Sequence, residues 1–304
     1  MRSIVKIYFM KEIGHLISGE EEFENSNTIN LYNPNNAELI GKVSLASPKI
    51  IDKAILSSVS ALNEWKLFSI SKRSSILFEY KVLLEKNINR IADIIGEDLG
   101  KVKDDAIGEI RRGIENVEYA CGIGEILKGE YNKNISTSVD SWSEFEPLGV
   151  VLGVTPFNFP TMVPLWMFPL ALAAGNSFIL KPSEKDPLST MFIAKLFNET
   201  GAPKGLLNII NGNKETVEKL IEDKRISLDE LENLISGRNY DIVCTFKNDK
   251  IIVWYNKKKL DIDKIYNKIK QNTSFVKKHF IFRFIDYFPK NSSGKVLFKE
   301  LNYK

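Results

Sequence analysis

Between Glu146 and Lys181 no side chain carries a charge, although 27% of the 304 residues are charged. A charge-free run of this length first suggests a membrane span, which needs about 20 apolar residues. The prolines argue against it. Pro156, Pro160, Pro164 and Pro169 recur every four or five residues. Each interior proline removes a helix hydrogen bond and clashes with the preceding turn, and lipid offers no replacement partners. The run instead divides into buried pieces: a strand over Val150–Val154, a tight turn, a short apolar helix through Leu172, Gly175 as its stop, and a second strand over Ser177–Leu180. That is a β-α-β unit with both strands buried on both faces, as in a parallel sheet.

Two places in this unit can carry chemistry. After the first strand, Thr155-Pro156-Phe157-Asn158-Phe159-Pro160 makes a stiff turn holding the Asn158 amide at the carboxyl edge of the sheet, where ligands bind in open α/β sheets. A side-chain N–H fixed there suits a developing oxyanion. After the second strand, Lys181-Pro182-Ser183-Glu184-Lys185 places an ammonium and a carboxylate where a nucleotide ribose fits between them. Spacing alone leaves a plainer alternative, in which Asn158 caps the helix and Lys181 and Glu184 are a solvated strand end.

The chain is 43% hydrophobic, enough to bury a core, and its length has room for about two domains. Its two cysteines, Cys121 and Cys244, are too few for a disulfide framework and suit a reducing, cytoplasmic setting. His15 and His279 are the only histidines, so no zinc cluster or His-based triad is expected. The opening MRSIVKIYFM is cut off by Lys11 and Glu12, which is short for a secretory signal; Met10 is a second candidate start. Neither a signal nor a membrane partner is expected. Residues 224–304 carry 18 Lys+Arg against 9 Asp+Glu, within whole-chain totals of 42 and 39. Such a change of sign marks a domain boundary near residue 223. The basic residues there are scattered lysines without a nucleic-acid motif, so no nucleic-acid partner is expected.

Upstream of the central unit, Asn33-Pro34 and Leu39–Val43 predict a small hairpin. Ser47-Pro48 starts a helix. A longer helix is predicted from Ser71 to Leu99, stopped at Gly100, and a third from Val102 to Cys121. Downstream come a helix over Pro187–Thr200, a strand over Gly205–Gly212, and a helix over Lys214–Glu222. The expected fold class is α/β: an incomplete Rossmann-like parallel sheet with N-terminal helices over residues 1–223, and a small α+β subdomain over 224–304.

The stretch TPFNFPTMVPLWMFPLALAAGNSFILKPSEKDP closely resembles the aldehyde dehydrogenase superfamily, in particular its CoA-acylating methylmalonate-semialdehyde dehydrogenases. The resemblance extends over about residues 13–223. It implies that Asn158 donates to the oxyanion and that Thr155, Phe157, Lys181, Glu184 and Lys185 lie along NAD. The family usually has arginine where this chain has Lys185, which puts any stacked or forked contact there in doubt. Within Glu109-Ile-Arg-Arg-Gly-Ile-Glu, the resemblance implies that Arg112 faces the substrate carboxylate, a group its planar fork binds through two parallel hydrogen bonds. The alternative is a helix-surface arginine paired with Glu109 or Glu115.

After residue 223 the family pattern stops. Strands are expected over Tyr240–Lys247 and Ile251–Lys257, a helix from Asp261, and a strand over Phe280–Phe288. Ser227-Leu-Asp-Glu230 reads as a capping box. The closing Pro289-Lys-Asn-Ser-Ser-Gly-Lys295, with the lead-in from Lys224, resembles the C-terminal subdomain of acyl-adenylate-forming enzymes. That resemblance implies that Lys295 contacts a phosphate during adenylation; the alternative is an exposed turn. Neither Cys244, in an expected strand, nor Cys121, on an apolar helix, has a base beside it in sequence. Both read as small buried hydrophobes.

By lineage the expected reaction is NAD-dependent oxidation of malonate or methylmalonate semialdehyde: a cysteine thiolate attacks the aldehyde, hydride passes to NAD, and CoA takes the acyl group. This chain is expected to have an incomplete, weak NAD site, no plausible nucleophile, and little turnover alone. The alternatives are an enzyme completed by another chain in a homo- or hetero-oligomer, a nucleotide-binding or regulatory remnant that partners a full-length enzyme, and a fusion without selected function.

Overall fold

The computed structural model describes residues 11–223, 242–247, 250–255, 262–263 and 280–286. The capping box at Ser227 and the loop bearing Lys295 lie outside them. The chain divides into two units, Met1–Ser227 and Leu228–Lys304.

In the first unit, β8 (Val150–Val154), β9 (Ser177–Lys181) and β10 (Leu207–Ile209) form the parallel core of a sheet. Alternation along β9 feeds two hydrophobic layers. Phe178 and Leu180 join one core with residues of α4 (Lys103–Cys121), α6 (Met162–Ala173) and α7 (Leu188–Asn198). Ile179 joins the other, with residues of α1 (Pro48–Trp65) and α8 (Lys214–Glu222).

The sheet departs from expectation in two ways. It is mixed, because β2 (His15–Ile17) pairs antiparallel with β10 and β3 (Glu20–Glu22) continues beyond it. Of the two strands of the β-α-β unit, β9 is wholly buried but β8 is not; β8 is the edge strand among the described residues, and Val154 is 42% exposed. A second sheet joins β1 (Lys11–Ile13), β5 (Leu39–Ser44) and β4 (Thr28–Tyr32), and contains the predicted hairpin. An unpredicted ribbon, β6 (Tyr131–Ser136) with β7 (Val139–Trp142), stands mostly in solvent.

Ser47 caps α1 by accepting from Ile50 N–H, with Pro48 at its first position. The single helix predicted from Ser71 to Leu99 is two, α2 (Ile70–Lys86) and α3 (Ile88–Asp98). Asn87 breaks it, its side-chain amide turning back to the Leu83 carbonyl at 2.8 Å, a competition with the backbone that disfavours this residue inside helices. Gly100 follows at φ 77°, and the short α5 (Ile123–Ile126) follows α4.

Helix α6 shows how a proline-rich segment remains helical. Proline at position i frees the carbonyl at i−4. Pro164 frees the Pro160 carbonyl, which accepts from Thr190 Oγ1 at 2.7 Å. Pro169 frees the Leu165 carbonyl, which accepts from Asn116 Nδ2 at 3.1 Å. At the far end, Trp65 Nε1 donates to the Leu172 carbonyl and Arg73 to that of Ala173. Neighbouring helices thus supply the missing donors. No helix among the described residues is long and apolar enough to cross a membrane.

In the second unit, β11 (Ile242–Lys247) pairs antiparallel with β12 (Lys250–Tyr255), and β13 (Phe280–Phe284) pairs parallel with β12. These match the expected strands, although β13 ends before the predicted Phe288. Cys244 lies on β11, opposite Val253.

Candidate functional site

Three segments meet at the carboxyl edge of the parallel strands: the turn after β8, the loop after β9, and the first turns of α4 with the loop preceding it. The Thr155 N–H donates to the Lys181 carbonyl at 3.1 Å, tying the first two together.

Asn158 is exposed and does not cap α6. That helix begins at Met162 after Thr161, whose own side chain makes no cap. The cap comes from another helix: Glu109 Oε1 accepts from the N–H groups of Thr161 at 2.9 Å and Met162 at 3.1 Å. Glu109 is 3% exposed, and its other oxygen is paired with Lys101. The Lys101 ammonium also donates to the Asn158 carbonyl at 3.0 Å and lies 4.4 Å from the centre of the Phe159 ring. The turn is therefore held from several sides while its amide side chain faces outward.

Lys181 is not a solvated strand end, being 5% exposed. Its ammonium meets Glu184 Oε2 at 2.8 Å, so the two groups expected to flank a ribose hold each other in this structure. Burial would raise the Glu184 pKa, but the hydrogen bond and charge of Lys181, its own backbone N–H and the charge of Lys185 hold it below the usual value. Lys185 Nζ lies 4.9 Å from the centre of the Phe157 ring, a cation–π contact. Thr155 Oγ1 is buried without a hydrogen-bond partner. Val154 and Phe157 expose apolar surface beside these groups.

Behind the loop, Asp186 is 1% exposed and neither carboxylate oxygen has a hydrogen bond of normal geometry. Its pKa is pushed up to about 7, first by burial and then by Glu109 and Glu184; Ser183 and Lys101 act against this. Asp98, also buried, accepts from the Leu188 N–H that opens α7. Burial and the nearby Asp186 and Glu97 raise its pKa.

Arg112 is exposed on α4 and makes no ion pair with Glu109 or Glu115. With Glu115, Asn116 and Trp166 it lines an open pocket of about 430 Å³. Trp166 lies on α6, so the pocket lies between α4 and α6. Cys121 lies elsewhere on α4, 6% exposed, donating to the Val117 carbonyl at 3.3 Å. Burial and Glu118 raise its thiol pKa to about 11.

Sequence reasoning missed Lys101, Glu109 and Asp186 as parts of this site. Glu109 had the visible signal, a carboxylate on the apolar side of α4 beside Ala106 and Ile110. Such a position demands a partner, and that partner is Lys101 instead of Arg112.

Residues 22–228 match the aldehyde dehydrogenase family. The malonate-semialdehyde dehydrogenase of Pseudomonas aeruginosa is 52% identical over 213 residues, which are 70% of this chain and 43% of that protein. The mitochondrial acylating methylmalonate-semialdehyde dehydrogenase of Arabidopsis thaliana is 41% identical over 215 residues, 70% of this chain and 35% of that protein. Among solved structures, the methylmalonate-semialdehyde dehydrogenase of Oceanimonas doudoroffii superposes with a TM-score of 0.70 at 50% identity, over 71% of this chain and 44% of that one. A Sinorhizobium meliloti protein assigned to the same activity and complexed with NAD gives 0.71 at 38% identity, over 72% and 45%. The chain spans less than half the length of these relatives. Its matched portion is the unit that carries the Asn158 turn and the Lys181–Glu184 loop, and the chain belongs to the aldehyde dehydrogenase family.

Proposed function

We propose that the first unit is the cofactor-side half of an NAD-dependent, CoA-acylating oxidation of malonate or methylmalonate semialdehyde. The observation that carries this reading is the exposed Asn158 amide, which shares one sheet edge with the Lys181–Glu184 pair. The β8–β9–β10 core then acts as an incomplete dinucleotide-binding sheet. Thr155, with its unpartnered buried hydroxyl, Lys181 and Glu184 suit the polar part of a nucleoside. Val154 and Phe157, with Lys185 over the latter, suit its flat face. When bound, NAD supplies the hydride acceptor.

The chain's own residues divide the remaining work. Asn158 donates an N–H to the oxygen of the attacked aldehyde and lowers the barrier through that preorganised dipole. Arg112 receives the distal carboxylate in the pocket beside Trp166 and so selects carboxylated semialdehydes. CoA is the acyl acceptor by kinship alone.

Two observations bear on partners. The β6–β7 ribbon exposes Tyr131, Ile135, Val139 and Trp142, and a two-stranded ribbon is marginal on its own; it supports assembly with another copy or with a full-length relative. The second unit has the predicted strands, and this supports keeping its reading as a subdomain like that of acyl-adenylate-forming enzymes, with Lys295 as the anion contact.

Calorimetric titration with NAD tests the proposal. Weak binding that disappears in a Lys181→Ala/Glu184→Ala chain is expected. Micromolar affinity that survives both substitutions sinks the site assignment.

A further inference from the structure

Lys101 occupies a position that the reaction chemistry alone does not require. Its side chain is 17% exposed, and the side chain of its partner Glu109 is 1% exposed. The ammonium has three donors. One serves Glu109 and another the Asn158 carbonyl, while the charge lies over the Phe159 ring. Glu109 in turn holds the Thr161 and Met162 N–H groups, the first turn of α6. Thr190 holds the Pro160 carbonyl from the side of α7. These other ties land on Pro160, Thr161 and Met162; among the described residues Lys101 is the group that bonds residue 158 itself. The charge of Lys101 also acts on Asp186 in the loop that follows Glu184.

We propose that Lys101 is a positioning residue, its bond to the Asn158 carbonyl fixing the 158–159 peptide and thereby the direction in which the Asn158 amide points. This rests on reading Asn158 as the oxyanion donor. The physical reason is that the rotamers open to an exposed amide depend on its backbone φ and ψ, while oxyanion stabilisation needs a donor aimed before the charge develops. The ion pair with Glu109 anchors the lysine. The carbonyl bond transmits that anchor to the turn.

The test follows the Asn158 side-chain NH2 signal in the amide NMR spectrum of the full chain, identified by its loss in Asn158→Asp. Two variants remove the ammonium. Lys101→Met leaves Glu109 buried without a cation, a change that can unfold a protein. Lys101→Met/Glu109→Gln removes both charges and keeps an acceptor for the Thr161 and Met162 N–H groups. The expected result in either folded variant is a shifted, motionally averaged Asn158 signal. In the double variant the Thr161 and Met162 amides remain protected from exchange, and Lys101→Arg restores the native Asn158 signal. An unchanged Asn158 signal in the folded variants overturns the proposal. Unfolding of both also overturns it, since Lys101 would then be a general stabiliser. No substrate or cofactor enters the measurement. An amide that Lys101 aims, in a protein that binds no NAD, sinks the proposed function and leaves this inference standing.

Discussion

Lys181 Nζ and Glu184 Oε2 lie 2.8 Å apart, yet the two side chains differ in exposure: 6% for the lysine and 34% for the glutamate. Removing one partner of a pair hurts most when the charge left behind cannot reach water. Glu184→Ala strands the buried ammonium, whereas Lys181→Met leaves a carboxylate that can hydrate. Glu184→Ala is therefore expected to be the more destabilising, by about 1–3 kcal/mol. The double variant should recover part of that loss. Urea unfolding of the three variants measures this, and equal effects of the two single changes would contradict the asymmetry.

The proline-freed carbonyls give a second prediction. Thr190 Oγ1 is the donor to the Pro160 carbonyl, and both groups are buried. Thr190→Val keeps the shape and removes the donor, leaving a buried acceptor unpaired, at about 1–3 kcal/mol. Thr190→Ser should retain most of the stability. A valine variant as stable as the parent would show that the carbonyl finds another donor.

Packing between α4 and α6 is equally specific. A Cβ added at Gly113 would stand 2.6 Å from Leu165 Cδ1 and 3.1 Å from Leu165 Cβ. Gly113 follows Arg112, so Gly113→Ala should disturb the Arg112–Trp166 pocket as well as the core. Overpacking of this kind costs about 1–3 kcal/mol. Gly113→Ala/Leu165→Ala opens room and should relieve the clash while leaving a cavity. Thermal unfolding of both single variants and the double tests this: a clash makes the double more stable than the sum of the two losses, and simple additivity would rule the clash out.

The central unit was legible because its residues obey local rules: prolines and glycines punctuate it, and the strand run Ser177–Lys181 is apolar from Phe178 to Leu180. The break at Asn87 was less visible, because apolar spacing continues through it and asparagine is tolerated on helix surfaces. β2 was missed as a member of the main sheet. Its partner Ile209 stands far along the chain opposite Leu16, and pairing at that separation leaves no local signature. The same holds for the site. Asn158, Lys181 and Glu184 sit in one recognisable stretch, whereas Lys101 and Glu109 reach it only through tertiary packing.

Two buried groups give opposing pH dependences. His15, fully buried, accepts from the Asn211 N–H at 3.1 Å through Nδ1, and its Nε2 has no partner. Burial, against the charges of Glu24 and Glu22, lowers its pKa from 6.5 to about 4. The unfolded chain then binds the proton more readily, so this stability falls as pH drops from about 6.5 towards 4. Asp186 has the reverse sign: its folded pKa of about 7 lies above the unfolded value of 3.8, so its stabilising share fades as pH rises towards 7. Asp186→Asn should therefore gain on the parent in the melting temperature at pH 8 and lose that gain by pH 5. His15→Asn, which keeps an acceptor, should flatten the acid side. A Tm–pH profile in which Asp186→Asn runs parallel to the parent would rule out the carboxyl as its source.

The last prediction concerns catalysis by the 304-residue chain alone. A bare aldehyde is a poor hydride donor, so oxidation first requires a covalent adduct with a thiolate standing within reach of the Asn158 amide. Cys121 does not meet this need. It is 6% exposed, its thiol donates to a helix carbonyl, and its pKa is pushed up to about 11, leaving little thiolate at neutral pH. Cys244 belongs to the second unit, on β11, outside the residues that match the family. In a Cys244→Ser chain, the remaining thiol should react with a disulfide reagent at pH 8 about a hundredfold more slowly than a free cysteine. The purified chain should form no NADH from malonate or methylmalonate semialdehyde with CoA. A rate well above a heat-killed control, abolished by Cys121→Ser or by Cys244→Ser, would show instead that one of these thiols reaches the Asn158 amide.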